Sequence, residues 1–410
     1  MNLKQLFTTT LTVASLLLAL QGHLVQAADP VAYVSNAGSS TVSTFNVTTN
    51  AFFGLPISVG NSPFGLAFTP DGSKVYVVNN GDSSVSIINT ADRSVSPTTI
   101  STDNRPFDIA IGSTINGNYA YVTNFDNALV NSVTVINTDT DTLVTTIDVN
   151  SQTVNPIAIA ITPNGEKVYV VGDNTLGHIC VINANNNTLM TGPGYPISPG
   201  GLGAFPQGIA ITPLGDEAYV TLSGSNSVVV INTSTDTISD TINQAGFFTQ
   251  PSKIAIGQTT NGLYAYVTNG DTTITVIDTF DNSFVISIAP GQTAPTGLAL
   301  TPDNSEVIVA NSAITGTISI INANNNTVAS GSPQPTGGNS PRHVAITPAS
   351  TLTPVITSIS PNSGPTTGGT SVTITGNYFT GTTAVNFGST PASSFTLLSS
   401  TTIIATTPPT

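Results

Sequence analysis

An all-β chain folded as a seven-bladed β-propeller is the architecture this sequence predicts, and three observations carry it. One phrase recurs seven times, as Ala32-Tyr33-Val34, Val75-Tyr76-Val77, Ala120-Tyr121-Val122, Val168-Tyr169-Val170, Ala218-Tyr219-Val220, Ala265-Tyr266-Val267 and Val307-Ile308-Val309. The spacings of 43, 45, 48, 50, 47 and 42 residues suit four short strands joined by tight turns and exceed leucine-rich or ankyrin periods. The third observation is phase. The repeats, which span residues 32 to 348, start on a Tyr-Val strand and end on an orphan Pro341-Arg342-His343-Val344-Ala345-Ile346. The last strand is therefore expected to complete the first blade, which closes the ring and removes open sheet edges.

Within a unit the elements follow in a fixed order. The first strand reads Pro-x-x-apolar-Ala-apolar, in Pro63 to Phe68, Pro106 to Ile111, Pro156 to Ile161, Pro206 to Ile211, Pro251 to Ile256, Pro295 to Leu300 and Pro341 to Ile346. Proline at a strand start loses no ladder hydrogen bond. Turns such as Pro70-Asp71-Gly72 and Pro163-Asn164-Gly165 then reverse the chain into the Tyr-Val strand, because glycine supplies the positive φ of a tight hairpin. A third strand, such as Ser84 to Ile88 or Ser132 to Ile136, ends in Asn46, Asn89, Asn137, Asn183, Asn232, Asp278 or Asn322. Four residues later stand Asn50, Asp141, Asn187, Asp236, Asn282 and Asn326, with Arg93 the exception. These short side chains are expected to cap their own backbone in the turn before the fourth strand. Asp139 and Asp141 are read as turn residues and no metal is assigned, since no ligand loop with a bidentate Glu is present.

Seven Lys and Arg stand against 21 Asp and Glu, a net charge of -14, with only 7% charged residues. Nucleic acid is disfavoured as a partner, because phosphate binding needs clustered cations. Lys4 precedes an apolar run from Leu11 to Leu20, and Val25-Gln26-Ala27 forms a small-x-small cleavage site, so residues 1–27 read as a signal peptide of an exported protein. The run is shorter than the roughly 20 residues of a bilayer-spanning helix, and no integral membrane span is expected. Cys180 is the sole cysteine, which excludes an internal disulfide.

The repeats Tyr121-Val122-Thr123-Asn124 and Tyr266-Val267-Thr268-Asn269, with Ile159-Ala160-Ile161-Thr162-Pro163 and Ile209-Ala210-Ile211-Thr212-Pro213, resemble the YVTN family of β-propeller repeats. Gly172 and Leu222 replace the Asn, and Ile308 the Tyr. The family is similar to surface-layer and other secreted propellers, and more distantly to lactonase-like and haem-binding propellers, so the resemblance implies a scaffold without naming a reaction. Residues 28–350 are assigned to the propeller. From 351 to 410 the chain changes character: Pro354 to Gly364, Gly368-Gly369-Thr370, Val372 to Gly376 and Val385-Asn386-Phe387-Gly388 resemble an IPT/TIG domain, an immunoglobulin-like sandwich. The chain stops at Thr410, where that family continues, so a partial sandwich or a truncated product is expected.

Propeller sites lie at the channel mouth, where the inner strands begin. Two residues after each opening proline stand Gly65, Asp108, Ala158, Gly208, Lys253, Gly297 and His343. Asp108 is a candidate general base, Lys253 or Arg342 a candidate anion ligand, His343 a candidate proton shuttle, and Arg105 a neighbouring candidate for ligand binding. Scattered over different blades, these are also ordinary rim residues. His178 and Cys180 alternate onto one strand face but lack the further ligands a zinc site needs, and packing accounts for them. No cofactor is assigned. The leading reading is a non-enzymatic surface scaffold that presents loops, Asn185 to Phe205 and Asn243 to Gln250, to a protein or glycan partner. The alternative is a propeller enzyme of lactonase or lyase type at the channel mouth, and convergence of Asp108, Lys253 and His343 on one cavity is what would favour it.

Overall fold

The computed structural model describes residues 29–125, 131–153, 155–173, 177–199, 203–312, 315–348, 355–377, 385–387, 390–399 and 402–409. The expected leader lies outside the described residues. The chain divides into two compact units, 29–349 and 350–410 together with 1–28. Among the described residues there is no helix, and hence none long and apolar enough to cross a membrane.

The larger unit is a ring of seven antiparallel sheets. Blade 2 runs from its inner to its outer edge as Pro63–Phe68, Lys74–Asn79, Ser84–Asn89 and Ile100–Ser101, and blades 3 to 7 repeat that order. Their inner strands are Pro106–Thr114, Pro156–Ile161, Pro206–Ile211, Ile254–Thr259 and Pro295–Leu300. Blade 6 is the variant, since its strand begins three residues beyond Pro251. Blade 1 takes its inner strand from the far end of the chain: Pro341–Ile346 pairs antiparallel with Val31–Asn36, placing Val344 opposite Val34. Each inner strand packs on the next around the whole ring.

The hydrophobic core is seven slabs, one between each pair of neighbouring blades. Between blades 3 and 4, for instance, Tyr121, Val133 and Val135 meet Val168, Val170, Cys180 and Ile182. The middle strands are buried on both faces, which is why they read as continuous apolar runs instead of alternating ones.

Two recurrent polar devices tie the slabs. The first set of turn residues caps as expected: the side-chain oxygens of Asn46, Asn89, Asn137, Asn183, Asn232, Asp278 and Asn322 each accept a backbone N–H two or three residues on. The second set does more than close its own turn. Asn50, Arg93, Asp141, Asn187, Asp236, Asn282 and Asn326 all hold left-handed φ values between 51° and 61°, and five of them accept the phenol O–H of the preceding blade. The pairs are Tyr76–Asp141, Tyr121–Asn187, Tyr169–Asp236, Tyr219–Asn282 and Tyr266–Asn326. Where the acceptor is a carboxylate, a lysine two residues before the tyrosine neutralises it: Lys74 lies 2.7 Å from Asp141, and Lys167 lies 2.8 Å from Asp236.

In the C-terminal unit, Val355–Ser360, Ser371–Asn377, Thr402–Thr406 and Ser394–Ser399 form one sheet, and Asn386–Phe387 pairs with Thr390–Pro391. Val372, Ile374, Ile403 and Ala405 are buried there against Ile356, Ile359, Val385, Phe387, Ala392 and Phe395.

Candidate functional site

The inner strands do not run straight into the channel. In blades 1 to 5 and blade 7 the register with the Tyr-Val strand slips just after the opening proline, as between Asn36 and Ser35 opposite Pro341 and His343, or between Pro156 and Ala158 opposite Gly172 and Val171. A β-bulge adds a residue and turns its side chain. In a regular strand, successive side chains would point to opposite faces. Here the first and second residues after the proline both reach the channel mouth.

The result is a cavity of about 190 Å³ lined by Phe64, Phe107, Ile157, Gln207, Ser252, Thr296 and Arg342 from the first position, with Gly65, Asp108, Lys253 and His343 from the second. Asp108 from blade 3, Lys253 from blade 6 and His343 from blade 1 converge. The Lys253 Nζ crosses the channel to within 3.3 Å of Asp108 Oδ2, and His343 Nε2 lies 3.9 Å from Asp108 Oδ1. Asp108 Oδ1 also accepts the Ile109 N–H at 3.0 Å. Lys253 and Arg342 lie over the rings of Phe107 and Phe64, at 5.9 and 5.1 Å. Gln207 is held by its amide to Asp173 Oδ1 at 2.8 Å, and burial raises the Asp173 carboxyl above its ordinary range.

The small residues between the polar ones have a reason. A Cβ on Gly65 would stand 2.8 Å from Asp108 Cα, and one on Gly208 would stand 2.4 Å from the Ser252 carbonyl oxygen and 3.1 Å from Lys253 Cα. Each polar residue thus packs against a glycine of the preceding blade, and Gly297 stands in the same relation to His343.

Electrostatically, His343 is held below its ordinary value of 6.5 by burial, with Asp108 opposing and Lys253 reinforcing that depression. Its Nδ1 is buried and meets no hydrogen-bond partner among the described residues. The site therefore presents a neutral imidazole, a carboxylate and an ammonium to one small volume. That set can accept a proton, hold a polarised water and stabilise a developing oxyanion.

The other sequence-marked residues fall elsewhere. Arg105 lies outside the cavity lining, with its guanidinium 4.9 Å above the ring of Phe125. Cys180 is fully buried, and burial pushes its thiol up to about 12. His178 Nδ1 lies 3.1 Å from the Gln152 carbonyl oxygen. Among the described residues no cluster of three His, Cys, Asp or Glu side chains is placed to hold a metal. The two variable loops carry anchors of the slabs: Ile197 and Phe248 are buried, Phe247 stacks on Phe284, and Tyr195 donates to Asp236 at 2.5 Å. Part of each loop is thus engaged in packing the slabs. Of the first-position ring around the mouth, Arg342 stands out in the sequence, whereas Phe64 and Phe107 do not. Strict alternation hides them, whereas their constant offset from the repeated proline is the signal that reveals them.

The fold and site define a closed seven-bladed propeller with a polar cavity at its channel mouth, followed by a small β-unit. Residues 354–410 match the IPT/TIG domain. Solved structures share the propeller. The periplasmic gluconolactonase of Pseudomonas aeruginosa superposes with a TM-score of 0.62 at 18% identity, covering 78% of this chain and 99% of that one. A Bacteroides fragilis protein assigned as a 6-phosphogluconolactonase gives 0.62 at 17%, covering 79% and 99%. A functionally unknown protein of Desulfotomaculum acetoxidans gives 0.61 at 17%, covering 76% and 99%. At these identities the likeness is one of fold. No curated protein matches the sequence.

Proposed function

We propose that this chain is an exported enzyme of lactonase type that acts on a small molecule at the channel mouth, its propeller built from YVTN-type repeats. The convergence of Asp108, Lys253 and His343 from three blades on one cavity carries the reading. The lactonase descriptions of two fold neighbours, one of them periplasmic, support both reaction class and compartment. In the reaction, neutral His343, its Nε2 3.9 Å from Asp108, takes a proton from water as its oxygen attacks the lactone carbonyl, and Asp108 stabilises the imidazolium that forms. Lys253 stabilises the oxyanion. The ring C–O bond then breaks, the leaving alkoxide takes up the proton from His343, and lactone plus water yields a hydroxy acid, which releases a proton to solvent and becomes the hydroxycarboxylate whose charge Arg342 can pair. No redox partner is needed. Purified protein should hydrolyse sugar lactones, with Asp108→Asn and His343→Gln each lowering kcat by about 10²-fold or more. Turnover unaffected by both substitutions would refute the assignment.

The match to an IPT/TIG domain favours a second role, attachment or spacing at a surface, carried by residues 354–410. A protein or glycan partner held by that unit should stay bound when the propeller's mouth is mutated.

A further inference from the structure

A cavity of about 190 Å³ is smaller than the roughly 300–1,000 Å³ of most ligand pockets, so it takes a small molecule or one end of a larger one. From its lining a strip runs outward through Phe64, Phe107 and Arg342 to Phe125 and Arg105, which lie outside the cavity. Arg342 lies over Phe64, Phe64 meets Phe107 with centroids 4.9 Å apart, Phe107 meets Phe125 at 6.5 Å, and Arg105 lies 4.9 Å over Phe125. Three half-buried aromatic rings thus connect two exposed guanidiniums. Neither guanidinium is in an ion pair with a carboxylate among the described residues.

The outer half of the strip is fixed by backbone. Arg105 adopts a left-handed φ of 48°, and its carbonyl accepts the Phe125 N–H at 3.1 Å, which sets the ring beneath the guanidinium. The charge distribution points the same way. Of the six Lys and Arg beyond residue 28, Lys74 and Lys167 neutralise Asp141 and Asp236, and Arg93 donates to the Leu55 carbonyl while lying over Phe53. Of the remaining three, Lys253 faces Asp108 in the cavity, and Arg105 and Arg342 stand on the strip without a carboxylate partner among the described residues, on a chain of net charge -14. A polyanion is repelled by most of the molecule and admitted at this one place.

We infer that the strip binds an acidic glycan, a run of uronate-type sugars that passes along the tilted rings of Phe64, Phe107 and Phe125 while its carboxylates pair with Arg342 and Arg105, whose guanidiniums cover the Phe64 and Phe125 faces. A guanidinium lying on an aromatic face keeps its N–H edges free for bidentate carboxylate pairing. Rigid rings at sugar-sized spacing suit a saccharide better than an acidic peptide, and three cations are too few for nucleic acid, where every neutralised phosphate takes one. The inference goes beyond the hydrolytic proposal. It shares Arg342 and two phenylalanines with the cavity and requires no turnover.

The test is isothermal titration of the whole protein with hexagalacturonate, maltohexaose and hexaglutamate. Only hexagalacturonate should bind, and about tenfold more salt should weaken it, since exposed pairs are screened. Arg105→Ala and Phe125→Ala should each reduce affinity about tenfold, with Arg105→Lys between them and the parent because it keeps the charge and loses the fork. Absence of hexagalacturonate binding overturns the inference, as do equal binding of the neutral hexamer or the peptide and unchanged affinity in Arg105→Ala. If lactones are turned over while hexagalacturonate does not bind, the glycan site alone falls. If hexagalacturonate binds as described while no lactone is hydrolysed, only the hydrolytic assignment falls.

Discussion

His343 reaches the cavity because Gly297, on the inner strand of the preceding blade, has no side chain: a Cβ there would stand 2.6 Å from the Arg342 carbonyl oxygen and 2.8 Å from His343 Cα. The imidazole is thereby fixed in a half-buried place, its Nδ1 covered, where its protonation is disfavoured chiefly by desolvation. The sign of the consequence is definite. A histidine held below 6.5 is neutral at neutral pH and becomes charged only on further acidification. If it is the base, kcat/KM rises with pH along an acid limb whose midpoint lies below about 6.5, the ordinary histidine value. A pH–rate profile of the parent and of His343→Gln checks this: the limb should vanish in the variant. A midpoint above the ordinary histidine range, or a limb that survives the substitution, would assign the proton transfer to another group. The alternation of polar and small residues at this position is visible in the sequence. Its reason is not, because a glycine's role here is to accommodate a residue on a different blade, more than 40 positions away.

At the level of the strand, departures from the repeat come in compensating pairs. Asn36, Asn79, Asn124 and Asn311 end their Tyr-Val strands, Asn269 directly follows one, and each donates to two hydroxyls on or beside the neighbouring strand, such as Ser84 and Ser86 for Asn79. In blade 4, Gly172 takes the Asn position and Cys180 the inner hydroxyl position; in blade 5 they are Leu222 and Val229. The lone cysteine is thus the apolar substitute for a hydroxyl that lost its partner, which rules out nothing about chemistry but explains its burial. The ring's closing interface shows the same logic. Ile308 stands where six blades have tyrosine, and it packs in one cluster with Phe45, which stands where the other blades have isoleucine. Volume is conserved across the slab while the clasp to Asn50 is given up. Ile308→Tyr alone should cost about 1–3 kcal/mol through overpacking. Combining it with Phe45→Ile should recover most of that loss, a coupling that a double-mutant cycle in urea measures directly. Additive effects would show that the two positions do not share space. The sequence displays both exceptions. That they touch follows only from the closure of the ring, which brings blade 7 against blade 1.

On the scale of the molecule, closure and chemistry depend on the same six residues. Pro341–Ile346 supplies the inner edge of blade 1, and on it ride Arg342 and His343, so the site is complete only when the chain ends have met. The phase of the repeats makes this strand exchange legible from sequence alone, because an unpaired Tyr-Val strand at one end and an unpaired proline strand at the other have a single economical pairing. The bulges that turn both mouth residues inward are not legible, since they arise from the ladder between two strands and leave no mark in either. A chain ending at Ser340 would leave Val31–Asn36 as an open edge and the cluster around Val34, Ile308 and Ile318 without Val344. An unpaired edge beside an uncovered apolar slab favours association over a monomeric ring. A chain ending at Pro348 keeps the strand and omits the C-terminal unit, whose core is its own. Scattering and thermal melts of the two truncations should therefore separate sharply. The longer one should stay monomeric and melt like the propeller of the full chain, and the shorter one should aggregate or melt far lower. Equal melting of the two would mean that six blades and a half-open seventh are stable by themselves, and that the last strand is kept for Arg342 and His343 alone.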